Sequence, residues 1–302
     1  MALLLLVALA GFGASLVDGA LGMGFGPTSS TILLAAGLAP AAVSTTVNLA
    51  KVATGAAGGL AHWRFGNVDR ALVVRLAVPG CVGAFVGVTV LANVDGDQLR
   101  PYLAVLLLVV GLRILVRFSR ETPAAPSGPR RAGAPARSPY RGVGLAALAG
   151  GITNGLIGAW GPVVTPALLH REGLEPRVAI GSVNTAEIAV ALTASGSLLA
   201  SLGSSGVDPG KLAAMLLGGV VAAPVAAWAV RHLAPRLLGV GAGGLLVFTN
   251  VRELSGLAGL GAVRWLAYAA VAAIWTAAIA RPRFTADPVV AALEPPAEPA
   301  AA

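Results

Sequence analysis

Apolar residues in this chain come in long unbroken runs rather than at the intervals of a one-sided helix. Such runs cover 72–92, 101–116, 178–202, 211–230, 237–249 and 257–280. Most reach or approach the ~20 residues that a helix rising about 1.5 Å per residue needs to cross a bilayer. Two further runs are cut in the same way. Gly19-Ala20-Leu21-Gly22-Met23-Gly24-Phe25-Gly26-Pro27 and Gly155-Leu156-Ile157-Gly158-Ala159-Trp160-Gly161-Pro162 each insert glycines and then a proline into apolar sequence. Proline's fixed φ and missing N–H suit a first helical turn, so each cut predicts one helix stopping and a second starting. In lipid the freed backbone groups are tolerated only where protein or a wet cavity covers them. Paired breaks therefore point to a binding site in a transporter built of two halves.

The two breaks belong to an internal repeat. Asp18-Gly19-x-x-Gly22 matches Asn154-Gly155-x-x-Gly158, and Gly26-Pro27 matches Gly161-Pro162. Gly37-Leu38-Ala39-Pro40 matches Gly173-Leu174-Glu175-Pro176, and Asn48-x-x-Lys51 matches Asn184-x-x-Glu187. The spacing between copies holds apart from a one-residue slip around the proline. The expected division is a first membrane repeat at 1–118, a linker at 119–140, a second repeat at 141–256, a last membrane helix at 257–283 and a tail at 284–302. The linker and tail are rich in Pro and Ala without apolar periodicity, which predicts flexible, unpacked chain.

Each half is expected to open with an apolar helix, a break and a short helix (27–36 and 162–170) too short to cross alone. Read as hairpins that leave on the side they entered, these are followed by three crossings per half. An odd number turns the second half upside down. Arginine placement favours that inversion. It puts Arg64, Arg70, Arg75, the seven arginines from Arg113 to Arg141, Arg171, Arg177, Arg231, Arg236, Arg281 and Arg283 on one side, leaving Arg100, Lys211 and Arg252 on the other. By the positive-inside rule the linker and C-terminus are cytoplasmic. The expected fold is an all-α polytopic membrane protein of two inverted repeats plus a C-terminal helix.

Composition agrees. Of 302 residues, 56% are hydrophobic and 11% charged, with a mean hydropathy of +0.82, which excludes an ordinary soluble domain. The net charge of +8 lies in arginines between apolar runs and reads as an orientation signal, not a nucleic-acid surface. One cysteine, Cys81, excludes an intrachain disulfide and a thiolate metal cluster. The start of the chain lacks the basic flank of a signal peptide, and its repeat copy is internal. His62, His170 and His232 stand near loops with no metal-ligand spacing, and Trp63, Trp228 and Trp265 suit an interfacial belt. No metal or cofactor is expected. Gly22-x-Gly24-x-Gly26 lacks the preceding strand and Lys-Ser/Thr pair of a nucleotide loop.

Chemistry concentrates after the breaks. Ser44, Asn48, Lys51 and Gly55 share one helix face, and Ile180, Asn184, Glu187 and Ala191 share another. Charges inside a membrane span face the protein interior or water, so Lys51 and Glu187 are functional candidates, with a structural ion pair as the rival reading. Helix N-termini at Pro27 and Pro162 would converge, and their free N–H groups with Lys51 would make an electropositive site for a small anion. An anion competing for Lys51 changes the affinity of Glu187 for a proton, which makes Glu187 the first proton-coupling candidate. Asp18 is the second, with local capping as its alternative role. Trp160, beside the second break, either narrows the cavity or fills space in the packing.

These motifs, in this order, resemble the sulfite exporter TauE/SafE family of anion permeases. The resemblance runs from Leu3 to Ala280 and includes Ser44-Thr45-Thr46-x-Asn48 and Gly181-Ser182-x-Asn184. It implies export of sulfite or organosulfonates across a bacterial inner membrane, driven by a proton or sodium gradient. It also implies a substrate site of Gly22, Gly24, Gly26, Pro27, Thr45, Thr46 and Asn48 with Gly158, Gly161, Pro162, Ser182 and Asn184. Lys51, Glu187 and Trp160 come from the residues alone. The expected partners are the lipid bilayer and a small anion, a homo-oligomer is possible, and no nucleic acid is involved. The rivals are an intramembrane enzyme, for which no nucleophile–base or metal motif is evident, and a membrane scaffold, against which the polar interior positions argue.

Overall fold

A computed structural model describes residues 2–21, 24–120, 142–169, 176–203, 208–232 and 235–280. The expected linker beyond Arg120, the tail, Gly22, His170 and Arg171 lie outside the described residues. Eleven helices are described: α1 (Ala2–Leu21), α2 (Phe25–Ala35), α3 (Pro40–Arg64), α4 (Arg70–Asn93), α5 (Gly96–Arg120), α6 (Val143–Ile157), α7 (Gly161–Leu169), α8 (Pro176–Leu202), α9 (Pro209–His232), α10 (Pro235–Leu257) and α11 (Val263–Ala280). The protein is an all-α polytopic membrane protein. Five of these helices are long and apolar enough to cross a membrane: α4, α5, α8, α10 and α11.

Both breaks fall where the glycines and prolines put them. Helices α2 and α7 begin one or two residues ahead of Pro27 and Pro162, leaving each proline in a first turn where its missing N–H costs no hydrogen bond. The last helix differs from expectation. It starts at Val263, not at 257, because α10 continues to Leu257 and the chain then turns through Gly259 and Gly261, whose φ values of 61° and 49° end a helix at little cost only in glycine.

The two sets of five helices interlock. Helix α4 lies along α6, with Gly83 against Leu148 and Ile152 and Gly87 against Ile152 and Gly155; the repeat-equivalent pair α9 and α1 packs likewise, Gly218 lying on Ala8 and Gly11 on Met215. In the first pair the residue numbers rise together; in the second Leu4 lies by Gly210 and Ser15 by Gly219, so both pairs run parallel. A Cβ on Gly83, Gly87, Gly218 or Gly11 would strike backbone, so the small side chains set the approach distance. The matched helices α3 and α8 are antiparallel, Lys51 meeting Glu187 and the amide of Asp69 just beyond α3 meeting Ser182. So are α5 and α10, with Gly111 on Leu246 and Phe118 on Gly239. These four pairings join one repeat to the other, so neither repeat buries its own core.

Each short helix folds back along the helix before it. Val164 of α7 lies against Gly150 of α6, seven residues ahead of the turn. The α2 end is carried to the start of α5, where Arg100 donates to the carbonyls of Gly37 and Leu38. The main core surrounds these hairpins and includes Val7, Leu33, Val47, Leu76, Leu107, Trp160, Val183 and Met215. A smaller cluster under α5, α10 and α11 contains Ile114, Phe118, Val240 and Leu246. Apolar residues such as Leu5, Val78, Phe85, Val220, Leu266 and Ile274 are exposed. Stripes of that kind suit a lipid-facing perimeter.

Candidate functional site

The two breaks touch. A Cβ on Gly26 would overlap the carbonyl group of Gly158, and one on Gly158 would come 2.7 Å from Val47 Cγ1. Gly158 itself has φ 70° and ψ 16°, the left-handed turn that closes a helix and that glycine adopts without strain. Its N–H returns to the Asn154 carbonyl at 2.8 Å.

Stopping α6 in mid-protein orphans the carbonyls of its last turn, and side chains of the first repeat take them up. Ser30 donates to Ile157 O at 2.8 Å and Ser44 to Gly155 O at 2.6 Å. Asn48 Nδ2 donates to Asn154 O at 3.2 Å, while Asn154 Nδ2 donates to Asn48 Oδ1 at 2.8 Å. Lys51 completes the set: its Nζ donates to Asn154 Oδ1 at 2.6 Å and to Gly158 O at 2.8 Å, and pairs with Glu187 Oε1. An ammonium has three N–H donors, and here each has an acceptor.

Below this seam lies a cavity of ≈ 90 Å³, room for a few waters or one small polyatomic ion. Gly24, Phe25, Gly26 and Pro27 line it from the first break, Gly158, Gly161 and Pro162 from the second. Asp18, Lys51, Thr54, Gly55, Asn184 and Glu187 complete the wall. The first amides of α2 and α7 are thus presented to one space. They are not equally free. Asp18 Oδ1 accepts from Phe25 N–H at 3.4 Å, so the carboxylate of the protein itself stands at the α2 N-terminus. Its repeat counterpart Asn154 points instead to Asn48 and Lys51.

This charge balance differs from the expected electropositive pocket. One ammonium shares the wall with two carboxylates, because the repeat brings Asp18 as well as Glu187 to the place where Lys51 stands. An anion enters on favourable terms only if a carboxylate is neutralised or moved away.

Residues 7–253 match the profile of the family described as "Sulfite exporter TauE/SafE". The chain belongs to that family. It is also similar to "Probable membrane transporter protein YtnM" of Bacillus subtilis (strain 168), 40% identical over 278 residues that cover 91% of each chain. No solved structure matches the chain significantly.

Of the site residues expected from sequence, Gly24, Gly26, Pro27, Lys51, Gly158, Gly161, Pro162 and Asn184 line the cavity, with Asp18 and Glu187. Others face elsewhere. Thr45 and Thr46 donate to the carbonyls of Ala41 and Ala42 one turn back. Asn48 is fully buried in the α3–α6 seam. Ser182 Oγ accepts from Asp69 N–H at 2.9 Å, tying α8 to the start of α4. Trp160 has no exposed surface; its ring fills the space over Gly80 and Gly150, and Nε1 donates to Val183 O at 3.1 Å. The packing reading of Trp160 is the one its position favours. In sequence Asn154 is only the repeat match of Asp18; in the structure it anchors Lys51. Its signal was the pairing of a buried lysine with an amide at a repeat position. His62 is half-buried, its Nε2 3.4 Å from Asn184 Nδ2.

Proposed function

We propose that this chain is a secondary membrane transporter of a small oxyanion, sulfite or an organosulfonate, working by alternating access with proton coupling. The observation that carries the reading is Lys51: a buried ammonium bonded to the Gly158 carbonyl, where the two breaks meet, and lining a cavity with the N-terminal residues of two helices. The family and the name of the relative point the same way, to transport rather than catalysis. The antiparallel register of α3 with α8 and of α5 with α10 supports halves of opposite orientation. With the arginine-rich ends inside, the site opens past Thr54 toward the cytoplasm of an inner-membrane protein.

Electroneutrality sets the mechanism. Glu187 takes up a proton and lets go of Lys51; the anion takes its place at the ammonium, with the amides at Gly24–Gly26 and Gly161 turned toward its oxygens. Asp18, at the α2 N-terminus, limits how much negative charge the cavity admits.

The test is flux in proteoliposomes with sulfite, organosulfonates, thiosulfate and sulfate, comparing wild type with the double variant Lys51→Met/Glu187→Gln. Removing both members of the pair strands neither of them, so the fold persists while anion flux is lost. A folded double variant with undiminished flux would reduce the pair to a brace between α3 and α8.

A further inference from the structure

Helix α2 leads from the main cavity to a second one. Pro27 lines the first; Thr31, Leu34 and Ala35 line the second. Four and seven residues along a helix are about 6 and 10 Å. Arg100 and Ala104 of α5 and Thr249, Asn250 and Glu253 of α10 close the other sides. The space is ≈ 10 Å³, no more than one water. It lies at the end of the bundle opposite to the Thr54 side, where α5 begins and α10 ends.

Two contacts shut it. Asn250 Nδ2 donates to Thr31 Oγ1 at 3.2 Å, joining α10 to α2. Arg100 Nη1 lies 3.7 Å from Glu253 Oε1, joining α5 to α10. The remaining groups around Arg100 are Asp97, 3.6 Å from its Nε, and the carbonyls of Gly37 and Leu38 at the α2 end. The Nε is buried without a hydrogen bond. A guanidinium held at the limit of pairing distance, with a donor left over, is poorly suited to a permanent brace. It is well suited to exchanging one carboxylate for another oxyanion.

We propose that Arg100 and Glu253 form the gate of the second mouth of the pathway, with Arg100 receiving the passing anion when the pair parts. Opening separates α10 from α2 and α5, joining the ≈ 10 Å³ space to the main cavity along α2. The anion role rests on the transport reading above; the gate itself does not.

The experiment uses the full chain in liposomes, with Cys81→Ala as background and Ala104→Cys as reporter. Ala104 is 3% exposed and lines the second cavity. A membrane-impermeant maleimide added on the side of the α5 N-terminus should label the reporter slowly. Adding Glu253→Gln should speed labelling about fivefold, the scale of losing one partly exposed ion pair. Asp97→Asn, at the more exposed partner of Arg100, should leave the rate near that of the parent. Thermal midpoints identify variants that merely unfold; for these Glu253→Asp, which keeps the charge but shortens the reach, replaces Gln and should speed labelling too. Equal rates in parent and folded Glu253 variants would overturn the gate. Faster labelling without flux of any anion would keep the gate and remove the anion reading.

Discussion

The two halves of this protein use the same repeat positions for different work. In the first, Ser44, Asn48 and Lys51 of α3 reach across and saturate the broken end of α6. In the second, Ile180, Asn184 and Glu187 of α8 occupy the matching places but can offer the α1 break only an apolar side chain, an amide and a carboxylate. The amide lies beside His62 and the carboxylate beside Lys51. The broken ends differ in step, Asn154 in one and Asp18 in the other. One seam is therefore closed by hydroxyl, amide and ammonium donors, while the other brings two carboxylates to the cavity. The matched helices supply the crossing, and divergence at three positions, Asp18/Asn154, Ser44/Ile180 and Lys51/Glu187, makes one copy a clasp and the other a carboxylate-bearing wall.

The largest expected effect separates the two members of the ion pair. Lys51→Met strands Glu187 and leaves Asn154 Oδ1 and Gly158 O without their donor. We expect a loss of about 3 kcal/mol, the scale of breaking a buried pair from one side. Glu187→Gln removes the charge but keeps an amide oxygen that can accept from Lys51, and should cost less than half as much, because Glu187 is 21% exposed and its screened charge contributes less. Denaturation midpoints in detergent check the order. Equal losses would mean that the clasp is not centred on Lys51.

Next comes the crossing of the breaks. Gly26→Ala drives a methyl into the Gly158 carbonyl, backbone against backbone, and should cost about 2 kcal/mol and most of the flux. Gly13→Ala, a control in α1 with nothing within 4 Å of the added carbon, should be neutral or slightly stabilising, by the usual advantage of Ala over Gly in a helix.

A third variant makes the halves alike. Asp18→Asn copies the Asn154 position into the first repeat and keeps an oxygen to accept from Phe25 N–H. Its effect on stability should stay within about 1 kcal/mol. It removes one of the two carboxylates from the cavity, so half-maximal flux should be reached at a lower anion concentration than in the wild type. An unchanged half-saturating concentration would assign Asp18 to capping alone.

The breaks and the meeting of Lys51 with Glu187 could be read from the chain because each depends on local chemistry or on spacing along the sequence. Glycine and proline stop a helix wherever they occur, and matched positions meet when halves cross. The roles of Asn48, Thr45, Thr46, Ser182 and Trp160 were not legible. A helix face about 100° wide spans more than one neighbour, and α3 turns part of its polar stripe to α6 and only the part beyond Lys51 to the cavity. Which part is wet depends on the depth of the α4–α6 packing. That depth is set by Gly83, Gly87, Gly151 and Gly155, four positions indistinguishable in sequence from the other glycines of the apolar runs. The cavity's charge was misjudged for a related reason: the repeat aligns Asp18 with a neutral residue, and nothing in the alignment says that only one of the two faces inward.

The smallest effect tests the comparison away from the site. Asp69 and Asp208 stand before α4 and α9, the matching helices of the two repeats, and cap them in the same way, accepting from Ala71 and Leu72 and from Gly210 and Lys211. Asp208 also pairs with Lys211 at 3.0 Å. The hydrogen bond from the Lys211 side chain, with the amides behind it, holds the Asp208 carboxyl below its ordinary range. A carboxyl depressed on folding adds stability above its unfolded value, about 3.9, and that stability fades as pH falls through the lower folded value. The wild type should therefore lose slightly more thermal stability than Asp208→Asn on acidification below about pH 4, and the two should run parallel from pH 5 to 8. Asn keeps the capping oxygen, so a wild-type advantage that holds from pH 5 to 8 and fades in acid isolates the charge. A difference that stays the same into acid would show the cap, rather than the ion pair, to be what the second repeat requires there.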